Sequence, residues 1–243
     1  MKRSKVRLLG QHMVTDWRIL RKLIMVSEIK QNELVYEAGT GEGSLTLELC
    51  KRAGFVVSFE IDRALFQKSK KLMSEFPNLT IINSDIFKLQ HMEFDAFISN
   101  LPYSRTREAV QWLTLQRFSR AILMVQKEFA DKLQANPGDK IYRSITALAQ
   151  YCFDMKKMFD VPRRAFDPQP AIDSTVIKLV PKEPKITITK TTIGHLNLLF
   201  SARNKEAVTM LRKHNSKLEL GLNKTRKIAE LTPSQLIHAA QSL

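Results

Sequence analysis

The stretch Asn100-Leu101-Pro102-Tyr103 contains the residue types with which a protein can hold an exocyclic amino group. It follows an apolar segment, Phe94 to Ile98, which predicts a buried strand that ends in a loop. Pro102 fixes its own φ and biases Leu101 towards an extended backbone, so the Asn100 amide and the Pro102 carbonyl can face one cavity. These two acceptors could take both N–H hydrogens of an adenine amine and localise its lone pair towards an electrophile. Tyr103 supplies a ring on which an extruded base could stack.

A glycine-rich loop earlier in the chain indicates a cofactor that could supply that electrophile. The strand predicted over Glu33 to Glu37 runs directly into Gly39-Thr-Gly-Glu-Gly43, and a helix is predicted from Ser44. This unit binds nucleotide-like cofactors in doubly wound sheets, because the glycines, Gly39 and Gly41 among them, let the backbone approach the ligand. The spacing G-x-G-x-G differs from the dinucleotide G-x-G-x-x-G, which disfavours a nicotinamide-dependent oxidoreductase.

Acidic residues follow the next two predicted strands. Glu60 could accept from both ribose hydroxyls of a cofactor. Asp85 could accept from its adenine amino group, while Ile61 or Ile86 covers the ring. The predicted strands are Glu33–Glu37, Phe55–Phe59, Leu79–Asn83, Phe94–Ile98, Ala121–Gln126, Cys152–Val161 and Ser174–Val180. Parallel strands present their carboxyl ends at one edge of a sheet, so the candidate ligands are expected to meet there.

Each of these residues also has an ordinary structural interpretation. Asn, Pro and Tyr are common in turns, and an acid at the end of a strand is often only solvated. The agreement of four successive strand ends, rather than any single residue, favours a binding site.

Composition restricts the class of protein. The 243 residues are 44% hydrophobic and 26% charged, which is typical of a soluble globular chain. No apolar run has the ~20 residues of a membrane span, and we predict a cytoplasmic protein. Two cysteines, predicted to be buried thiols, cannot build a disulfide framework. The five histidines have no ligand spacing, so we predict no metal. Nothing in the sequence indicates more than a monomer.

Positive charge is concentrated at the two ends of the chain. The formal net charge is +15, of which residues 1–34 contribute +5, residues 35–159 contribute +3 and residues 160–243 contribute +7. Basic segments around a nearly neutral centre indicate a polyanionic partner held by its phosphates. The start of the chain, residues 1–8, is predicted to be an arm on nucleic acid with contacts from Lys2, Arg3, Lys5 and Arg7. The alternative is a basic protein that is merely soluble.

Strands that alternate with helices predict an α/β fold with a doubly wound, mostly parallel sheet and an antiparallel last strand. The stretch Pro181 to Lys190 is rich in proline and lysine and reads as a linker. We therefore predict a catalytic domain over 1–181 and a small helical RNA-binding domain over 182–243. The long loop Pro162–Pro170 contributes Arg163 and Arg164 to the predicted RNA contacts. Its Phe166 is either the other half of a base sandwich with Tyr103 or an anchor in the core.

Several motifs, in order, resemble the KsgA-type small-subunit rRNA adenine dimethyltransferases, which are relatives of the Erm methyltransferases. Leu9-Gly-Gln-His-Met-Val-Thr-Asp16 resembles the family motif near the N-terminus, and Val35 to Thr46 resembles its S-adenosylmethionine loop. Phe59-Glu-Ile-Asp62, Asn83-Ser-Asp85 and Asn100-Leu-Pro-Tyr103 follow in the expected order. Val125 to Ala130 and Ala165 to Ser174 match later segments, so that the resemblance covers nearly the whole chain.

The resemblance implies a Rossmann-like class I methyltransferase that uses S-adenosylmethionine. It implies two methyl transfers to each of two adjacent adenosines near the 3′ end of small-subunit rRNA, during ribosome biogenesis on the immature small subunit. Asn100, Pro102 and Tyr103 would hold the target base, and Arg105 and Arg107 are further predicted RNA contacts. The implied cofactor contacts are Gln11, His12, Val14, Gly39, Gly41, Glu60, Ile61, Asp85, Ile86 and Asn100.

This chain departs from the family pattern in three places. Met13 and Val14 replace the usual Phe and Leu, and Ser104 to Glu108 is more charged than the small apolar residues expected there. The helical end is short for a bacterial member, which suits an archaeal-type enzyme. Two alternatives remain open: an Erm-like enzyme that acts on large-subunit rRNA, and a non-catalytic ribosome-assembly factor that keeps the fold.

Overall fold

The computed structural model of the protein describes residues 12–182, 187–213 and 226–243. Several sequence predictions lie outside these residues: the basic arm with Lys2, Arg3, Lys5 and Arg7, the cofactor contact Gln11, and Pro184 of the linker. No helix in the described ranges is long and apolar enough to cross a membrane. The same ranges contain no group of three or more His, Cys, Asp or Glu residues that could hold a metal ion.

A seven-stranded sheet forms the centre of the fold. Its strands are β2 (Leu34–Ala38), β3 (Phe55–Phe59), β4 (Leu79–Ile82), β5 (Ala96–Asn100), β6 (Arg120–Gln126), β7 (Phe153–Val161) and β9 (Ser174–Pro181). They lie in the order β4-β3-β2-β5-β6-β9-β7. Strands β4, β3, β2, β5 and β6 run parallel, and β9 pairs antiparallel with β6. This arrangement confirms the predicted doubly wound α/β sheet with an antiparallel last strand.

A separate two-stranded sheet was not expected from the sequence. It pairs β1 (Met13–Val14) with β8 (Phe166–Asp167) in antiparallel register. Two-residue strands carry no readable alternation, because a period of two needs several residues to show itself. The pairing fixes the start of the described chain to the loop that follows β7.

Helices connect the strands and continue beyond the sheet. They are α1 (Trp17–Ser27), α2 (Ser44–Cys50), α3 (Arg63–Leu72), α4 (Thr106–Leu113), α5 (Lys127–Leu133), α6 (Ser144–Cys152), α7 (Lys190–Ser201), α8 (Ala207–Lys213) and α9 (Pro233–Gln241). The described residues that precede α9 include a 3-10 turn over Ile228–Glu230. The last helix begins with a capping box, in which Thr232 and Gln235 bond each other's backbone amides.

The apolar core explains why the central strands read as continuous hydrophobic runs. Residues 121–125 of β6 are fully buried, as expected for a parallel sheet covered on both faces. One side packs residues of α1 and α2 against the sheet, with Leu23 and Leu49 at 0% exposure. On the other side Tyr36 stacks on Phe94, with ring centres 4.8 Å apart. The strand ends are therefore held by burial, which is the framework a binding site needs.

The described chain folds into two compact units. The first comprises the described residues up to Ala109 together with Gln116–Lys127 and Met155–Pro181, and it contains the sheet. The second comprises Val110–Leu115, Glu128–Asp154 and the described residues from Lys182 onwards. In the second unit Tyr142 is fully buried and donates to the Leu231 carbonyl at 3.2 Å. The assignment of a catalytic domain to 1–181 and an RNA-binding domain to 182–243 stays a prediction.

Candidate active site

The glycine loop between β2 and α2 turns sharply under two cavities. Gly39, Gly41 and Gly43 have φ values of +84°, +56° and +89°, which only glycine adopts without strain. The Gly39 amide donates to the Phe59 carbonyl at 2.7 Å and so ties the loop to the neighbouring strand. A Cβ on Gly39 would meet no atom within 4 Å, because this position faces open space.

The first cavity holds about 590 Å³ of empty space, including its opening to solvent. It lies between the glycine loop, the start of the described chain and the end of β5. Its lining includes the predicted residues His12, Val14, Gly39, Gly41, Asn100 and Pro102. Leu20 of α1 and Glu37 of β2 also line it, and neither was predicted.

The second cavity, of about 730 Å³, lies on the other side of Gly39. Gly39 and Pro102 line both cavities, which are therefore neighbours at the carboxyl edge of the sheet. Its lining includes the predicted cofactor contacts Gly39, Glu60, Ile61, Asp85 and Ile86. The sheet thus brings together every described residue for which a cofactor contact was predicted.

Asn100 ends β5 with its side-chain amide in a fixed orientation. Its Nδ2 donates to the His12 carbonyl at 3.1 Å. Its Oδ1 accepts no hydrogen bond from the described residues, and Asn100 lines the first cavity. The Pro102 carbonyl already accepts one hydrogen bond from the Arg105 amide at 2.9 Å, and a carbonyl oxygen has a second lone pair. Two hydrogen-bond acceptors therefore lie at the end of this strand.

Tyr103 is fixed by one contact to its hydroxyl and one to the face of its ring. Its hydroxyl lies 2.6 Å from the Ser174 hydroxyl, and burial raises the pKa of Tyr103, an effect that the Ser174 hydrogen bond partly offsets. Its ring is stacked on the His12 ring, with centres 5.4 Å apart and planes inclined by 26°. The His12 Nδ1 lies 2.6 Å from the Pro168 carbonyl, which fixes the imidazole in turn. One face of the Tyr103 ring is therefore occupied by His12.

Glu37 is the most unusual group in the first cavity. Its Oε2 accepts from the Thr46 and Ser58 hydroxyls, each at 2.6 Å. Its Oε1 is buried and has no hydrogen-bond partner among the described residues. Burial raises the pKa of Glu37 to about 8, although the two hydroxyls work in the opposite direction. A buried polar atom without a partner is costly, so this carboxyl needs a functional or structural reason for its position.

Glu60 has a different position from an ordinary acid at the end of a strand. It is only 2% exposed, although a solvated role was the alternative interpretation. Its two carboxylate oxygens accept from the backbone amides of Gly41 at 2.9 Å and Asp62 at 2.8 Å. Each oxygen keeps a second lone pair, which is the capacity that a pair of ribose hydroxyls would use.

Asp85 forms an ion pair that the sequence did not predict. The Arg105 Nη2 lies 3.0 Å and 2.9 Å from the two Asp85 oxygens, and the Arg105 guanidinium carbon lies 4.6 Å from the centre of the Phe87 ring. Arg105 also donates to Glu108 at 2.8 Å. Arg105 and Asp85 both line the second cavity, and the predicted RNA contact of Arg105 stays a prediction.

Phe166 lies where no base can reach it in this structure. It is 4% exposed, pairs with Val14 between β1 and β8, and belongs to the hydrophobic core. This position agrees with the second interpretation, an anchor in the core, and not with the predicted base sandwich. A sequence shows that an aromatic residue follows a loop, but not which way its ring turns.

The other predicted RNA contacts within the described ranges are exposed. Arg163 and Arg164 lie in a 3-10 turn after β7, and Arg107 lies on the exposed side of α4.

Glu37 and Arg105 have roles in the site that the sequence did not predict. Glu37 has a signal in the sequence, since an acid within the apolar strand Leu34–Ala38 is buried only for a reason. Arg105 has none, because its partner lies 20 residues away.

Comparison with known proteins extends this description. The sequence matches the model of the family described as Ribosomal RNA adenine dimethylase over residues 2–243. A curated relative from Thermotoga maritima, named Ribosomal RNA small subunit methyltransferase A, is 32% identical over 241 residues, which are 98% of this chain and 86% of the relative.

Solved structures with a similar fold agree with the sequence match. A dimethyladenosine transferase from Plasmodium falciparum has a TM-score of 0.77 and 26% identity, with 94% of this chain and 96% of that chain covered. The 23S rRNA methyltransferase ErmE has a TM-score of 0.67 and 26% identity, with 95% and 99% covered. The resemblance noted in the sequence is thereby confirmed.

Proposed function

Because the chain belongs to the ribosomal RNA adenine dimethylase family, we propose that it methylates adenosine N6 in small-subunit rRNA with S-adenosylmethionine. The proposed products are two neighbouring dimethyladenosines near the 3′ end of that RNA. Relatives that share about a third of its residues over nearly the whole chain are named for the small subunit, which supports this substrate over the large-subunit alternative.

The observation that carries the proposal is the geometry of Asn100. Its Nδ2 is bound by the His12 carbonyl, so its Oδ1 is the atom turned towards an incoming ligand. An amide oxygen can accept an N–H hydrogen, but it is too weak a base to act as a proton-abstracting group. The adenine amine is a poor nucleophile, so its lone pair must be localised on nitrogen. Its hydrogens must nevertheless stay bound until the new bond forms, and a hydrogen-bond acceptor that is not a strong base meets both needs.

The polar groups that line the two cavities support S-adenosylmethionine as the cofactor. Glu37 lines the first cavity, where an ammonium group would favour ionisation of its carboxyl and gain a counter-charge. Glu60 and Asp85 offer carboxylate lone pairs in the second cavity, where ribose and adenine would lie. The open space above Gly39, which a Cβ would enter, leaves room where the two halves would join. When bound, this cofactor supplies an electrophilic sulfonium methyl group.

The residues of the chain then act mainly by positioning. Asn100 Oδ1 and the Pro102 carbonyl would each accept one hydrogen of the target amine, which localises the nitrogen lone pair. Transfer of the methyl group to that lone pair would leave the nitrogen cationic and acidic. It then releases one proton to water, so the chain needs no strong base. Tyr103 would hold the base by stacking on its free face.

The proposed partner is the immature small ribosomal subunit, bound through the charge of the chain. The formal net charge is +15, and Arg163 and Arg164 are exposed beside the sheet. Phosphate contacts of this type make affinity fall steeply with salt. The basic arm over 1–8 and the segment 182–243 are proposed to add further RNA contacts.

The proposal is tested by methyl transfer from labelled S-adenosylmethionine to under-methylated small subunits, followed by nucleoside mass spectrometry of the rRNA. We expect dimethyladenosine at two neighbouring positions near the 3′ end. Large-subunit RNA is assayed in parallel as the control substrate. Transfer to that RNA alone would indicate the Erm-like activity, and cofactor binding without transfer to either RNA would indicate an assembly factor.

A further inference from the structure

The exposed side of α1 carries an aromatic ring among cations. Trp17 is 59% exposed, whereas tryptophan usually buries most of its ring. Arg18, Arg21 and Lys22 are exposed on the same side of the helix. The Arg21 guanidinium carbon lies 5.0 Å from the centre of the Trp17 ring. In the part of the chain that the structure describes, neither Arg21 nor Lys22 forms an ion pair.

The acids near this side of the helix are already paired with cations, so the surface stays positive. Asp16 is bonded by Arg18 at 3.1 Å, and this hydrogen bond lowers the pKa of Asp16, with a smaller contribution from the charge of Arg164. Glu28, at the far end of α1, pairs with Lys178 at 2.8 Å. Both carboxylates are thus already neutralised. Arg164, one of the predicted RNA contacts, extends the positive surface beyond the helix.

The position of α1 relates this surface to the candidate active site. Leu20 lines the first cavity, and Trp17 precedes it by three residues. At ~1.5 Å of rise per residue the two side chains lie within one helical turn of each other. A nucleotide next to a base held in the first cavity would therefore come close to Trp17.

We propose that Trp17, together with Arg21 and Lys22, is a stacking platform for an unpaired nucleotide of the RNA substrate. The proposal rests on the proposed function. The ring offers a π-face to any base, and the cations match the charge of the phosphates. Bases within a duplex are already stacked on one another, so the platform selects single-stranded RNA over paired RNA.

Tryptophan fluorescence tests the platform directly. The chain has two tryptophans, and Trp112 is 4% exposed, so quenching by added RNA reports on Trp17. The probe is an RNA hairpin with an adenosine-rich unpaired loop, and the comparison is a fully paired duplex of the same length. We expect the hairpin to quench the emission and the duplex to leave it nearly unchanged. Equal quenching by both, or none by the hairpin, would overturn the proposal.

Matched variants separate stacking from charge. Trp17→Ala should weaken hairpin affinity about 5- to 10-fold without changing its salt dependence, and Trp17→Phe should retain most of it. Arg21→Gln should reduce the salt slope by about 1. The control is Leu72→Ala, an equally exposed apolar residue (59%) that follows Lys70 and Lys71 on α3. Equal affinities for Trp17→Ala and Leu72→Ala would refute the platform.

These readouts do not depend on catalysis. Fluorescence and hairpin affinity are measured without a methyl donor, whereas the proposed function is judged by methyl transfer to ribosomal subunits. Loss of the Trp17 effect with methyl transfer intact refutes the platform alone, and absence of methyl transfer refutes the proposed function alone.

Discussion

The two cavities on either side of Gly39 differ in how their polar groups are satisfied. In the first, the Oε1 atom of Glu37 and the Oδ1 atom of Asn100 accept no hydrogen bond from the described residues. In the second, both oxygens of Glu60 and both oxygens of Asp85 already accept from backbone amides or from Arg105.

This difference suits the two cavities to different groups of a ligand. A buried acceptor without a partner costs about 1–3 kcal/mol, and a ligand that donates to it recovers that free energy. The first cavity is therefore suited to groups whose hydrogens must be held during a reaction. In the second cavity the carboxylates are fixed in advance, which favours selective binding of a rigid nucleoside because little ordering remains to be done.

The largest expected effect concerns the Glu37 carboxyl group. Its pKa is raised from 4.5 to about 8 by burial, so the folded protein keeps the proton over a range in which the unfolded chain has released it. The free energy of unfolding should therefore decrease as pH rises from ~4.5 to ~8, by roughly 4 kcal/mol relative to Glu37→Gln. Denaturant unfolding of both proteins across this pH range measures the difference.

Glu33→Gln is the matched control, because Glu33 is also a buried acid and precedes the same strand. Its hydrogen bonds with Arg120, of which the shortest is 2.6 Å, lower its pKa. Its contribution should therefore be present above the ordinary pKa of 4.5 and be lost as pH falls. The same pH trend for both variants would show that Glu37 is not neutral in the folded protein.

The next effect concerns Asn100, the other unpaired acceptor. Asn100→Ala removes the oxygen proposed to hold the target amine, and kcat for methyl transfer should fall about 100- to 1,000-fold. RNA affinity should remain nearly unchanged, because the proposed contact is to the target amine alone. Methyl-transfer and filter-binding assays on the same preparation check both values, and a parallel loss of both would contradict this role.

A smaller effect tests the space that the two cavities share. Gly39→Ala would place a Cβ in the open region, and cofactor affinity measured by calorimetry should fall about 10-fold. Gly138→Ala is the control, since Gly138 also has a positive φ, +95°, and open space around it. Both variants should lose ~1 kcal/mol of stability to backbone strain. Only Gly39→Ala should lose cofactor affinity, and equal affinities would argue against a cofactor at this position.

The smallest expected effect comes from Arg105. Its ion pair with Asp85 is partly exposed, with 22% and 18% of the two side chains accessible, so solvent screens it. Arg105→Ala should weaken cofactor affinity about 3-fold by releasing the Asp85 carboxylate, and Arg105→Lys should have an intermediate effect. Lys88→Ala removes the same charge from an exposed position nearby and should have no effect. Tighter cofactor binding in Arg105→Ala would show that Arg105 competes with the cofactor.

The sequence predicted the sheet well because its signals are local. The apolar strands were located within two residues at most boundaries, and β3 over Phe55–Phe59 matches residue for residue. The glycine loop and the residues at the strand ends followed from the same patterns, since a parallel sheet brings its carboxyl ends together whatever else the chain does. The membership of the dimethylase family followed from motifs in a fixed order.

Partners distant in sequence could not be predicted. Arg105 was predicted as an RNA contact, which stays a prediction, and the structure adds its contacts with Asp85 and Phe87 in the second cavity. Phe166 was read as either a stacking residue or an anchor, and its pairing with Val14 places it in the core. Whether Glu37 had a hydrogen-bond partner could not be known before the side chains of β2, β3 and α2 were packed together.

The sequence by itself determined which chemistry this protein can hold: two carbonyl acceptors for an amine, carboxylates at successive strand ends, and a loop that only glycine can form. The tertiary structure decided which of those groups remain available. Hydrogen bonds between residues far apart in the chain satisfy some acceptors and leave others unpaired, as with the Asn100 amide held by His12 across 88 positions. Availability is a property of the packed neighbourhood, and no local pattern encodes it.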